Sequence, residues 1–258
     1  MMVIVNIPLP PDVARLVRHY KGKNQAAVRF RVPSWQRALA SCSGNVTAFL
    51  TDDRYTTPCS SEPYRRLGDR TTTRLKVRAA CLAMDLNNRD QVLQTFVLVM
   101  AWGSGTTGSR GLRNTARALS DPDAAYTVLA GSARSLRAAR SLSEALRQAH
   151  RDFKLAGVGR AFFTKWFSYA GYVPGRKWNP LILDSRVLAT LNKTLHVTTR
   201  MMADDDRRWA VRGAAYVEHL YCWASELTAA GCPVDGERLE WIMFEHNGKP
   251  LPPPSAPN

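Results

Sequence analysis

The sequence predicts an all-α fold beyond residue 85, preceded by a less regular N-terminal region with room for one short strand. Three observations carry this reading. Apolar residues recur at helical spacing in a succession of segments from Asn88 onwards. Pro33, Pro58, Pro63 and the run Thr71-Thr72-Thr73 break the first 80 residues into short pieces. At 45% hydrophobic and 22% charged residues, the 258-residue chain has the composition of a folded body with a core of its own.

Taken in order, 27–32 alternates well enough for a strand. Val92, Phe96, Val99 and Met100 mark a helix from Asn88 to Trp102-Gly103. A loop is expected at 103–111, where four glycines argue against a helix. Its glycines imitate a dinucleotide fingerprint, but a helix rather than a strand precedes them, and no Gly-Lys-Ser/Thr closes a phosphate loop. Further helices are expected over 112–119, 124–130, 142–153, 160–169, 184–195, 205–230 and 237–245. Residues 1–85 are expected to pack on a main domain at 86–248, with a proline-rich disordered tail at 249–258. There is no internal repeat.

The charge narrows the partners. Lys and Arg number 36 against 21 Asp and Glu, a net +15, which favours a polyanion. The longest apolar run, at 96–102, is too short to span a membrane, and the first residues do not have the form of a secretory signal, so a cytoplasmic protein without membrane partner is expected. Five cysteines without a CxxC pair and five scattered histidines suggest reduced thiols and no metal site. Seven basic residues from Arg54 to Arg78 face only Glu62 and Asp69, as either a solvated face or a phosphate-contacting one.

Leu155-Ala-Gly-Val-Gly159, followed by Arg160, is the most informative stretch. Gly157 and Gly159 around Val158 permit a tight turn between helices. They also clear the start of the second helix, where a phosphate can meet backbone N–H groups and the positive end of the helix dipole. An ordinary helix-ending turn is the alternative. Ten Arg/Lys against four Asp/Glu over 110–160 favour the phosphate reading, as such a face binds DNA through counterion release. Twenty-five residues beyond Gly159, Asp184 closes the apolar run Pro180-Leu-Ile-Leu and opens a helix. It suits an N-cap or a catalytic carboxylate, and the two roles are compatible.

LAGVG, a helix, a loop and an Asp opening the next helix resemble the helix-hairpin-helix DNA glycosylases. AFFTKWFSYAG and PLILDSRV are similar to bacterial proteins with an 8-oxoguanine DNA glycosylase fold. The likeness covers roughly 86–248. It implies that Asp184 stabilises the cation developing on deoxyribose, or positions the attacking water, as the base leaves. It also implies double-stranded DNA as partner to a monomeric enzyme, with Gly157, Val158, Gly159, Arg160, Arg110 and Arg113 on the DNA. No cofactor is required, though related hairpins often hold a monovalent cation. Members that also cut the strand carry a lysine nucleophile at the position occupied here by Ala161, so the resemblance implies a monofunctional enzyme. Lys165, one helical turn further on, is a catalytic or base-contacting candidate, or else a surface lysine. The base pocket is expected to draw on Trp102, Ser104, Thr106, Asn114, Phe163, Trp166 and Trp241, although aromatics at helical spacing usually pack in a core. The excised base is expected to be modified: a hypermodified phage base such as glucosylated hydroxymethylcytosine, in antiviral defence, or oxidised guanine. Repair with strand-cleaving lyase activity and non-catalytic DNA binding are the alternatives.

Overall fold

The computed structural model describes residues 7–106 and 109–251. The far end of the expected tail, from 252 on, lies outside them, as do Thr107 and Gly108 of the expected loop. The described chain is predominantly helical, with one small sheet. It forms two compact units, one of Gln25–Ala138 and Asp152–Pro174, the other of residues up to Asn24, Ala139–Arg151 and Gly175 onwards. Residue 85 is therefore not a boundary between units: the sheet shares a unit with the helices that follow it.

In the first unit, β1 (Val28–Arg31), α2 (Val32–Ala38), β2 (Thr57–Pro58), β3 (Asp69–Thr72) and α3 (Arg74–Ala83) precede α4 (Arg89–Ser104). The strands are antiparallel in the order β1-β3-β2, with Val28 opposite Thr72 and Thr57 opposite Thr71. The expected strand at 27–32 is present and finds its partner 40 residues on. α4 is buried from Thr95 to Trp102 on every face, not along one stripe. A helix apolar all round must be enclosed, and α3, α5 (Ser109–Ala118), α6 (Pro122–Ala138), α8 (Arg160–Ala170) and β1 pack on α4. Arg137 of α6 donates to the Cys81 and Ala170 carbonyls at 2.6 and 2.7 Å, placing a cation at the ends of α3 and α8.

Helix replaces most of the loop expected at 103–111. α4 continues through Gly103 to Ser104, and α5 begins at Ser109 with Gly111 inside it. The glycines serve close packing here: a Cβ on Gly111 would collide with the Ser104 side chain. α6 likewise runs past the expected 124–130, passing Gly131 where nothing crowds the backbone.

Three of the seven basic residues from Arg54 to Arg78 pair with nearby carboxylates. Arg54 pairs with Asp52 at 2.6 Å, holding that carboxyl below its ordinary value, Arg65 pairs with Glu62 at 3.0 Å, and Arg70 pairs with Asp53. Buried Asp69 takes Arg31 at 2.7 Å and Arg29 at 3.6 Å. Asp52 and Asp53 precede the basic run by one or two residues, so a count begun at Arg54 omits them. Arg74 and Arg78 lie over the rings of Trp102 and Tyr172.

The second unit holds α1 (Pro11–His19), most of α7 (Leu142–Asp152), α9 (Ser185–Ala189), α10 (Trp209–Ala229) and α11 (Gly236–His246). In α10, His219 donates from Nδ1 to the Ala215 carbonyl at 2.8 Å, which leaves Nε2 to accept the Ile7 N–H at 3.3 Å. Two expected helices differ in form or in start. The one at 184–195 becomes α9 and a single wide π turn, Thr190–Thr194, because Thr190 Oγ1 donates to the Met243 carbonyl at 2.6 Å and accepts from Gly248 N at 3.0 Å. The one at 205–230 starts at Trp209, since Asp204 and Asp205 adopt left-handed conformations and Asp206 caps a turn through Arg208 N at 2.7 Å.

Candidate active site and nucleic-acid interface

The turn before α8 is built as its glycines require. Val158 N bonds the Leu155 carbonyl at 3.1 Å, and Val158 itself is buried. Gly157 has φ +78°, and a Cβ there would stand 2.8 Å from the Asn114 carbonyl oxygen and 3.3 Å from Arg117 Cβ. Gly159 is extended, supplies no side-chain cap, and has open space where a Cβ would project. No acidic residue occupies the first turn of α8. Such a helix start can receive an anion at its dipole.

The contact at Gly157 brings α5 to the turn. Arg110, Arg113 and Arg117 follow helical spacing along α5, and all three are exposed. Asn114 meets the turn through its backbone. Arg117 was not among the residues singled out from the sequence, although its spacing from Arg110 and Arg113 is the signal that finds it. Arg160 opens α8 beside the turn.

Lys165 is not a surface residue: it is 5% exposed. Its ammonium donates to the Ala161 carbonyl at 3.0 Å and lies 5.7 Å from the Phe162 ring centre. Its stem runs so close to Gly103 that a Cβ there would lie 2.7 Å from Lys165 Cδ, which explains a glycine inside α4. Trp102 next to it stands edge-on to Tyr169 at 5.1 Å, and its buried Nε1, like Ser104 Oγ, has no hydrogen-bond partner among the described residues. Phe163 joins Phe153 and Phe167 in an aromatic cluster behind the turn. Trp166 belongs to the core: it is fully buried, its Nε1 bonds Ser132 Oγ at 3.1 Å, and it packs edge-on to Phe96. It offers no face to a base. Thr106 lines a separate cavity of about 260 Å³ with Arg31, Ser34, Trp35 and Ser109.

Asp184 lies in the other unit. Leu181, Ile182 and Leu183 before it are buried, and Tyr216 donates to the Ile182 carbonyl at 3.0 Å, which holds the segment extended into α9. Asp184 is 6% exposed; its Oδ1 accepts the N–H groups of Arg186 at 3.0 Å and Val187 at 3.2 Å. Two bonds to one oxygen fix the rotamer and the direction of the carboxylate. Trp241 is in the same unit as Asp184, on α11, where it stands edge-on to Tyr20 at 5.8 Å beneath Arg238. Among the described residues, no group of three or more His, Cys, Asp or Glu side chains is arranged to hold a metal ion, and no helix is long and apolar enough to cross a membrane.

A model of the family described as "Putative 8-oxoguanine DNA glycosylase OGG-like protein" matches residues 21–244. The chain belongs to this OGG-like family. No curated protein and no solved structure matches it. Membership supports DNA glycosylase activity in general, with DNA as the partner. The matched segment begins at residue 21, so the sheet region belongs to the family too, whereas motif likeness extends only from about residue 86.

Within the OGG-like chain, Gly157 combines a positive φ with a close approach to the α5 backbone. Gly157→Ala adds a strained positive φ of about 1 kcal/mol to a clash with the α5 backbone. Urea denaturation is expected to show a loss of about 1–3 kcal/mol, whereas Gly159→Ala, with open space around it, is expected to remain near wild type.

Proposed function

We propose that this OGG-like protein is a monofunctional DNA glycosylase. It extrudes a modified nucleotide from duplex DNA, hydrolyses the N-glycosidic bond and leaves an abasic site. The observation that carries the reading is the Asp184 carboxylate, almost enclosed and aimed by two backbone N–H groups at a helix start. Glycosidic cleavage develops positive charge on the sugar, so a carboxylate of fixed direction stabilises the transition state more than the neutral substrate. The base leaves with the bond's electron pair and takes up a proton, while water supplies the oxygen that bonds to C1′ and loses its proton to solvent.

The monofunctional reading is supported by the helix after the turn. Ala161 stands where strand-cutting relatives carry their lysine, and the nearest substitute amine, Lys165, is enclosed and bonded back to the Ala161 carbonyl. A Schiff base would require that amine to be deprotonated and delivered to C1′. The exposed Arg110, Arg113 and Arg117 beside the uncapped start of α8 are the proposed backbone-contacting face.

For the base, the proposal favours a hypermodified phage base carrying a sugar, such as glucosylated hydroxymethylcytosine, and so a role in antiviral defence. Its support is the polar, glycine-rich segment around Ser104, Thr106, Ser109, Arg110 and Arg113, whose hydroxyl and guanidinium groups suit a sugar-bearing base. Oxidised guanine is the second reading, favoured by the family description.

Three outcomes are expected. In single-turnover assays with mass spectrometry of released bases, Asp184→Asn lowers release by about 10²–10³-fold while duplex affinity stays near wild type; equal release by both proteins overturns the role of Asp184, and release by neither, across glucosylated and oxidised substrates, leaves a DNA-binding protein. Borohydride is expected to trap no covalent protein–DNA adduct; an adduct that disappears in Lys165→Ala refutes the monofunctional reading. Arg113→Ala/Arg117→Ala is expected to reduce the slope of log affinity against log salt by about 2, read by fluorescence anisotropy.

A further inference from the structure

Helix α9, which Asp184 opens, is a single turn of five residues, Ser185–Ala189. A helix so short has no stability of its own, so its place must be set by contacts from elsewhere. The N–H groups of Arg186 and Val187 within it are what aim the Asp184 carboxylate. Beyond α9 the chain leaves the α-helical pattern: Leu195 N bonds the Thr190 carbonyl, five residues back, at 3.0 Å and closes the wide turn Thr190–Thr194. Such turns recur at functional sites.

Thr190 is fully buried, and its hydroxyl is used twice. Oγ1 donates to the Met243 carbonyl at 2.6 Å and accepts from Gly248 N at 3.0 Å. Both partners belong to the end of α11. Asn247 and Gly248 there are successive left-handed residues, with φ of 54° and 67°, and Asn247 N bonds the Met243 carbonyl at 3.1 Å. The next N–H, of Gly248, goes to Thr190 instead, so a side chain following α9 completes the cap of α11. Thr194, at the other end of the wide turn, donates to the Lys249 carbonyl at 3.2 Å. Gly248 also lies against α9: a Cβ there would stand 2.9 Å from the Ala189 carbonyl oxygen. Because the Thr190 side chain is closed to solvent, it can act on a substrate only through α9.

We propose that Thr190 is a positioning residue for the Asp184 carboxylate: by fastening the wide turn to the end of α11 it holds α9 in place, and with it the two N–H groups that direct Asp184 Oδ1. The proposal rests on the reading of Asp184 as the carboxylate of a glycosylase. Stabilisation of the developing charge depends on where the carboxylate stands, and a displacement of about 1 Å costs about 100-fold in rate. Valine matches threonine in shape but neither donates nor accepts, so Thr190→Val leaves the Gly248 N–H unpaired and α9 loosely held. Serine keeps the hydroxyl.

The test uses the full chain and, under single-turnover conditions, whichever of the duplexes with glucosylated hydroxymethylcytosine or 8-oxoguanine the wild type cleaves. Thr190→Val is expected to lower base release by about 10–100-fold while duplex affinity stays within about twofold of wild type. Thr190→Ser is expected to release base within about threefold of the wild-type rate. Amide exchange followed by ¹⁵N NMR reads the cause: the Arg186 and Val187 N–H groups are expected to exchange about tenfold faster in Thr190→Val, with those of Val217 and Leu220 in α10 unchanged. A general loss of stability would move all four. If Thr190→Val does not fold, Gly248→Ala, which presses on Ala189 at the same junction, carries the same expectations. Release by the folded valine variant at an undiminished rate, equal loss in the valine and serine variants, or unchanged exchange at Arg186 and Val187 overturns the proposal. If release depends on Asp184 but not on Thr190, the glycosylase reading stands and this proposal falls. If the two amides respond but no base is released, or release does not depend on Asp184, Thr190 still holds the carboxylate and it is the glycosylase reading that falls.

Discussion

Helix α4 is buried on every face from Thr95 to Trp102, and the first unit is organised by the need to cover that stretch. Ten of its sixteen residues are buried, so helices and the edge of a small sheet must close on it from all sides. Close approach then governs its last turn. Gly103 admits the stem of Lys165, and Ser104 meets Gly111 of the next helix. The same turn carries Trp102 with an unpaired indole N–H. Packing that is apolar in origin thus assembles a lysine, an indole and a hydroxyl at one end of one helix.

Charge is organised by a different constraint. Of the two basic stretches, the one from Arg54 to Arg78 places Arg54, Arg65 and Arg70 on Asp52, Glu62 and Asp53, and Arg74 and Arg78 over the rings of Trp102 and Tyr172. Cations paired in this way add little to the potential felt by a distant polyanion. The arginines of α5 are exposed beside a helix start that lacks a side-chain cap. Positive side chains and the helix dipole there act in the same direction.

Asp184 joins stability and proposed chemistry in one side chain. The bonds that cap α9 also set the direction of the carboxylate, so a local folding rule serves as the positioning device. The neighbouring π turn, anchored by Thr190 to the carboxyl-terminal part of α11, ties α9 to the helix that bears Trp241 and His246. Polar groups left unpaired in enclosed places, as at the end of α4, are where local packing rules were not fully met, and such places tend to be functional.

The helical class, the turn at 155–159 and the Asp184 helix start were legible in the sequence because each rests on local chemistry: apolar spacing, glycine freedom and capping. The helical ends of the 103–111 segment were hidden because its glycines answer to neighbours rather than to turns, and distance along the chain does not reveal which side chains press on a backbone. Lys165 and Trp166 share a helix, yet burial of the lysine against Gly103 and of the tryptophan against Ser132 was decided by other elements. Trp241 became a neighbour of Tyr20 for the same reason. The sequence by itself determined the helical class beyond residue 112, the glycine turn before α8 and the capped start of α9. Tertiary structure alone decided which cations stay exposed and which polar atoms are left without a partner, because burial and pairing depend on contacts between residues far apart in the chain.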